Sequence, residues 1–308
     1  MEKGKGPVAS ELSLMKGESV VQTSRDIVWQ NMDAELQALC IRAGGIPGER
    51  ASGVMGYSLL DLSSGKKAGF HDDILFPTAS TIKIAVLLGL ATRVQLGELS
   101  WEQRLTVAVE GKVGGSGVLS LLRHPVDLSL WDLASLMIAL SDNHATNACI
   151  DLAGMSFVND LLNGLGLSRT RLRRKMMDLE AVKRGDENVA TPRELVSLLE
   201  KLYRSQGIPA AVASDVLTIL ELPKSGPFAQ ALPASVRRAN KTGSLSRVRV
   251  DAGIIYLPDA DFCLAVMGSF LQEGEQDTEP VAAEVVAAAY RHMALLADCN
   301  ELGRPLAF

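Results

Sequence analysis

The chain has 308 residues, with 47% hydrophobic and 22% charged content, which is enough for one large domain or two modest ones with a sizeable core. Its 31 Lys and Arg against 36 Asp and Glu give a formal charge of −5, with no basic run or basic-aromatic interleaving, so no nucleic-acid partner is expected. The cysteines (Cys40, Cys149, Cys263, Cys299) show no CxxC and read as free, mostly buried thiols, and the histidines (His71, His124, His144, His292) lack zinc-site spacing; neither metal nor cofactor is expected.

Residues 1–28 are polar and read as a disordered tail. The tail lacks the apolar stretch of roughly 7–15 residues that a secretory leader needs, and the longest apolar run, Ile84 to Ala91, falls far short of the ~20 residues that span a bilayer. The expectation is a cytoplasmic protein without a membrane partner. Apolar residues at helical spacing predict a helix from Asn31 to Arg42, stopped by Gly44, Gly45, Pro47 and Gly48. A hairpin follows, with strands Val54–Leu62 and Lys67–Phe70 around a turn at 63–66.

Ser80 to Leu96 reads as a helix that is apolar nearly all round, and therefore buried on most sides. Ser129 and Asp132 form a capping-box-like start for a helix to Leu140, and another runs from Asn143 to Leu152. Thr191-Pro192-Arg193-Glu194 is a strong start signal for a helix to about Tyr203, followed by a helical stretch from Ala210 to Leu220. The period then becomes that of strands, at Arg237–Lys241, Val248–Leu257 and Phe262–Phe270, before a last amphipathic helix from Glu279 to about Ala297. The expected fold class is α/β (α+β): an antiparallel sheet built from the two chain ends and flanked by the terminal helices, with an all-helical lobe inserted. One domain over 29–308 is expected, its sheet lobe at 29–79 and 207–308 and its helical lobe at 80–206.

Ser-x-x-Lys occurs at Ser13, Ser63, Ser64 and Ser80. Only Ser80 and Lys83 stand at the first turn of a rigid helix, where residues three apart share a face and an amine reaches a hydroxyl. Lys83 also interrupts an apolar run, and a buried ammonium is costly without a role. Ser141-Asp142-Asn143 lies at the junction of two helices, and Lys241-Thr242-Gly243 ends a strand-like run in which Gly243 permits close backbone approach. A second Lys-Ser-Gly, Lys224 to Gly226, is flanked by Pro223 and Pro227 and reads as a loop outside the motif.

The ordered set S-x-x-K, S-D-N, K-T-G resembles the signature of penicillin-binding proteins and class A β-lactamases, over about Met32 to Met293. The resemblance implies a serine hydrolase acting through an acyl-enzyme on a β-lactam or another small amide or ester, with Ser80 as nucleophile and Lys83 as proton acceptor, its pKa lowered by burial and by Lys241. Ser141 would relay a proton to the leaving nitrogen, and the N–H groups of Ser80 and Ser244 would hold the oxyanion. Asn143 would hold the substrate's amide side chain, and Lys241, Thr242 and Gly243 its carboxylate end. Arg247 or Arg249 would add a second carboxylate contact, or else form a charged strand face.

The chain departs from that pattern in the Ω-loop. Class A enzymes carry a glutamate there as the deacylation base, but here its position falls on or beside Met176, which accepts no proton. Asp178 and Glu180 are the nearest carboxylates that could replace it. Slow deacylation is therefore expected, with a D,D-peptidase or esterase on the same scaffold, or a β-lactam-binding protein without turnover, as alternatives.

Overall fold

A computed structural model describes residues 22–44, 53–108, 111–271 and 279–306. In chain order the elements are α1 (Ser24–Gly44), β1 (Val54–Asp61), β2 (Lys67–Phe70), β3 (Phe76–Pro77), α2 (Lys83–Gln95), β4 (Arg104–Val107), β5 (Val126–Ser129), α3 (Leu130–Ala139), α4 (Asn143–Ala153) and α5 (Met155–Gly164). Then come α6 (Leu179–Lys183), β6 (Val189–Ala190), α7 (Pro192–Arg204), α8 (Ala210–Leu220), α9 (Pro227–Ala231), β7 (Arg238–Leu245), β8 (Val248–Ile255), β9 (Phe262–Ser269) and α10 (Glu279–Asp298).

The main sheet has five strands in the order β2-β1-β9-β8-β7, every neighbouring pair antiparallel, so strands from the two ends of the chain meet at β1 and β9. Side chains alternate across a strand, and β9 shows it cleanly. Phe262, Leu264 and Val266 face Met32 and Leu36 of α1 and Val285 and Met293 of α10, while Cys263, Ala265 and Met267 share the opposite cluster with Leu195 and Leu199 of α7. With both faces covered, all eight residues of β9 are buried.

The helical block is organised by α2, which is buried without a break from Lys83 to Ala91. Leu133 and Met137 of α3, Cys149 of α4, Val158 and Leu162 of α5 and Val216 of α8 pack into the same cluster. Burying each leucine of α2 contributes about 1.5–3 kcal/mol, which makes this helix a rigid platform for whatever stands at its start. The block also holds a two-stranded ribbon, β4 with β5, and α3 opens on the expected reciprocal cap of Ser129 and Asp132.

Two boundaries differ from expectation. The first helix begins at Ser24, not Asn31, because Thr23 and Asp26 cap it: the Thr23 N–H and hydroxyl both donate to the Asp26 carboxylate, at 2.9 and 3.0 Å. The tail reading to residue 28 is thereby corrected over Ser24 to Val28, and residues 1–21 of it lie outside the described residues. Ser80 does not open α2. It sits in a 3₁₀ turn, Ala79–Ile82, that precedes Lys83.

Candidate active site

The turn carrying Ser80 is held from outside. β3, just before it, pairs with β6, and both the N–H and the hydroxyl of Thr78 donate to the Asn188 carbonyl, at 2.9 and 3.1 Å. Ala79 has φ +45°, a left-handed conformation that strains a residue with a Cβ. Side chains at i and i+3 eclipse in a 3₁₀ turn, so Ser80 and Lys83 share one face more closely than α-helical geometry would give.

Ser141 opens the second wall, also left-handed at φ +54°. Asp142 caps α4 by accepting from Ala145 N–H at 2.9 Å, and its other oxygen accepts from Val118 and Leu119 N–H at 2.6 and 2.9 Å. One buried carboxylate thus ties the start of a second 3₁₀ turn, Leu119–Leu121, to the α3–α4 junction, and a Cβ at Gly117 would overlap it. Asn143 is buried, donating from Nδ2 to the Gly114 carbonyl at 3.0 Å.

Lys83 is fully buried, and its Nζ donates to three oxygens: the Ser141 carbonyl at 2.8 Å, Ser141 Oγ at 3.0 Å and Asn143 Oδ1 at 3.1 Å. Ser141 Oγ in turn lies 2.8 Å from Ser80 Oγ. The lysine therefore reaches Ser80 through Ser141. Burial pushes the Lys83 pKa well below its ordinary value, the positive charge of Lys241 pushes it further down, and Asp142 opposes them.

Lys241, Thr242, Gly243 and Ser244 lie on β7. A Cβ at Gly243 would stand 2.8 Å from Ser80 N and 2.9 Å from the Thr78 carbonyl, so only glycine lets the strand press against the Ser80 turn. Lys241 is buried and donates to the Thr242 carbonyl at 2.7 Å; burial lowers its pKa to about 7, against the pull of Asp251. The three motifs line one cleft of about 380 Å³ that includes Ser80, Ser141, Lys241, Thr242 and Ser244.

Several sequence-predicted residues have contacts other than those expected. Asn143 spends its amide on Gly114 and Lys83, so its contacts hold the lysine in place. Arg249 donates to the Leu245 and Val248 carbonyls of its own hairpin at 2.9 and 3.0 Å, Arg247 is exposed at the turn, and neither lines the cleft. Asp178 caps α6 through Ala181 N–H, and the exposed Glu180 pairs with Lys183 at 2.7 Å; both carboxylates point their chemistry at α6, and neither lines the cleft. The Met176 backbone is gripped by Asn147, which accepts from Met176 N–H at 2.8 Å and donates to its carbonyl at 3.1 Å. Met176 itself packs into the helical core.

Two residues escaped the sequence reading. Asn147, one turn beyond Asn143, carried no signal because its partner is a backbone 29 positions away. Lys224, set aside as a loop residue, lines the cleft with Ser225 and Gly226. Its flanking prolines did predict the loop, but not where the loop goes. Among the described residues, no group of three or more His, Cys, Asp or Glu could hold a metal ion.

The family model described as "Beta-lactamase enzyme family" matches residues 32–293. Among individual proteins, the chain is 24% identical to the beta-lactamase regulatory protein BlaB of Streptomyces cacaoi over 76% of this chain and 89% of BlaB, and 26% identical to beta-lactamase SME-1 of Serratia marcescens over 64% and 68%. Among solved structures, a beta-lactamase from Sphaerobacter thermophilus superposes with a TM-score of 0.76 at 29% identity, covering 87% of this chain and 98% of that one.

Removing the Asp142 carboxylate strands three N–H donors and the junction they join. Asp142→Ala is expected to lower unfolding free energy by about 3–5 kcal/mol, read from urea denaturation; a loss under about 1 kcal/mol would contradict the tethering role.

Proposed function

Because the chain belongs to the beta-lactamase enzyme family, we propose that it is a serine hydrolase that opens an amide bond through an acyl-enzyme on Ser80. The observation that carries this reading is the unbroken line of Lys83 Nζ, Ser141 Oγ and Ser80 Oγ at 3.0 and 2.8 Å. A buried lysine whose pKa is pushed well down has a larger share of free amine than an exposed one, which suits it to accept a proton. The Ser80 proton passes to Ser141 as the Ser141 proton passes to Lys83, and Ser80 Oγ attacks the substrate carbonyl. The N–H groups of Ser80 and Ser244 stabilise the oxyanion, a contribution of roughly 3–4 kcal/mol per donor in serine hydrolases. Collapse breaks the C–N bond while Ser141 returns a proton to the leaving nitrogen, replenished from Lys83.

Lys241 and Thr242 take the substrate's carboxylate, which makes β-lactams fitting substrates. The second half of the cycle is less well equipped. A water attacking the ester needs a base, Met176 offers none, and Asp178 and Glu180 are engaged at α6. Acylation is therefore fast relative to release. The same observation favours a second reading, a β-lactam-binding protein that traps its ligand; a D,D-peptidase or esterase on this scaffold shares the first half-reaction.

Intact mass after mixing with benzylpenicillin should show a one-to-one adduct that persists for hours. Ser80→Ala should show none, and an adduct surviving that substitution would refute the nucleophile. The pH profile follows from the two lysines. Lys241 is cationic below its pKa and neutral above it, so the second-order acylation rate should fall as pH rises through about 7, while protonation of Lys83 lowers the rate at acid pH. A rate that does not fall between about pH 6 and 9 would contradict the role given to Lys241. Met176→Glu, which restores a carboxylate at the position Asn147 grips, should shorten the adduct's lifetime about tenfold or more; an unchanged lifetime would show that the missing base is not what slows release.

A further inference from the structure

A second cavity, of about 290 Å³, lies between α7 and the sheet edge formed by β1 and β2, and it shares no lining residue with the cleft. Its walls follow from two periodicities. Arg193, Ser197 and Glu200 are spaced i, i+4 and i+7 and so come from one side of α7. Tyr57 and Leu59 of β1 pack into the cluster of α1 and α10 while Leu60 packs into that of α7, so Ser58 also turns toward α7. Lys67 of β2, opposite Leu60, stands on the same face, and Ser58 itself is opposite Gly69, which has no side chain to cover it.

The carboxylates around this cavity are already engaged. Glu194 accepts from the Thr170 N–H and hydroxyl at 2.6 and 2.7 Å, Asp73 pairs with Arg169 at 2.7 Å, and Glu200 pairs with Arg204 at 3.2 Å. Asp72, beside Asp73, takes Nε and Nη2 of Arg193 at 3.1 and 2.8 Å, a pair that does not use Nη1. The donors are less well served. Ser58 is only 6% exposed, yet among the described residues its hydroxyl has no hydrogen-bond partner, and neither does the Ser197 hydroxyl or the exposed Lys67 ammonium. A buried hydroxyl without a partner is costly, and an oxygen from outside the chain would relieve it. The same cavity is lined by the buried, apolar Leu60, Leu167 and Val196.

We propose that this cavity is a second ligand site, separate from the cleft, that takes a small organic carboxylate: its oxygens meet the Lys67 ammonium and the free hydroxyls of Ser58 and Ser197, and its alkyl body lies on Leu60, Leu167 and Val196. Charge selects among ligands of this size. An amine would bring a further cation to a site whose unspent groups are donors, and an alcohol would offer them a single oxygen, whereas a carboxylate offers two and a full charge. A mostly apolar wall with a few convergent polar groups is the usual make-up of a small-molecule site. The site stands behind the turn that carries Ser80. From Asp72, whose carbonyl accepts from Arg193 N–H at 2.9 Å, the chain runs through β3 into that turn. The inference goes beyond the hydrolase reading and does not depend on it.

The test titrates the full chain with hexanoate, hexanol and hexylamine and follows assigned backbone amide resonances by NMR. Hexanoate should shift the amides of Ser58, Ala68 and Ser197 along a saturable curve, and the other two probes should bind there at least about tenfold more weakly. Lys67→Met, a change at an exposed position, should weaken hexanoate about tenfold or more, and Ser58→Val, which fills the cavity with methyl groups, should abolish the response. Shifts confined to Ser80, Thr242 and other cleft amides, no saturable shift at the three reporter amides, hexylamine binding as well as hexanoate, or an unchanged affinity in Lys67→Met would each overturn the site. None of these outcomes touches the assignment of Ser80, because no arm uses adduct formation. Should Ser58→Val fail to fold, Ser197→Leu fills the same space from α7 and makes the same comparison.

Discussion

The site is organised around one buried amine. Placing a lysine in a dry interior costs several kcal/mol if it stays charged, and nothing in the helical core of α2 needs a polar group. The structure meets the cost with three oxygens, two of them from a single residue: Ser141 turns both its carbonyl and its hydroxyl toward Lys83 Nζ. A left-handed backbone at Ser141 accompanies that double presentation, and it sits where α3 has ended and Asp142 has begun α4. The strain and the cap belong to the same device. Lys241 supplies the remaining condition, since a nearby positive charge favours the neutral form of Lys83.

From this constraint the architecture follows. Lys83 can meet Ser141 only if α2 and the α3–α4 junction are fixed against each other, which the shared apolar cluster secures, while the three bonds to Asp142 hold the junction itself in shape. Lys241 can be near only if a strand from the far end of the chain reaches the start of α2, which Gly243 permits. The cleft therefore lies where the helical cluster meets the sheet, and its polar groups come from the rigid edges of each. Rigidity at the edges is what lets hydrogen bonds near 3 Å persist in a solvent-accessible groove.

Much of this was legible from sequence because the signals were local or periodic. The alternation of β9, the all-round apolarity of α2 and the caps at Ser129 and Thr191 each obey a short-range rule, and the three short motifs could be placed relative to such elements. The start of α1 was missed because the Thr23–Asp26 cap precedes the apolar pattern rather than lying in it. The failures at the site have another origin. Arg249 sits on the predicted strand, yet its long side chain folds back on hairpin carbonyls, a choice no spacing reveals. Lys224 was judged by its neighbours in sequence, whereas the loop that carries it is pressed onto β7 through Gly226 at Thr242 and so lines the cleft.

The Ω-loop shows how a segment can keep its structure and change its chemistry. The loop here is firmly built: Arg174 is buried in an ion pair with Glu187 at 2.7 Å, and Asn188 accepts from the N–H groups of Arg173 and Arg174 while donating to the Arg174 carbonyl. Asn147 grips the backbone at Met176 from α4. Such investment would be idle if the loop's only task were to present a base, because no carboxylate stands at that point. Its far end has another task, since Asn188 and β6 hold Thr78 and β3 immediately ahead of Ser80. The loop braces the turn that carries Ser80, with Ala79 kept in its strained conformation. Bracing that turn rests on Asn188 and strand pairing, and so does not depend on which side chain stands at Met176.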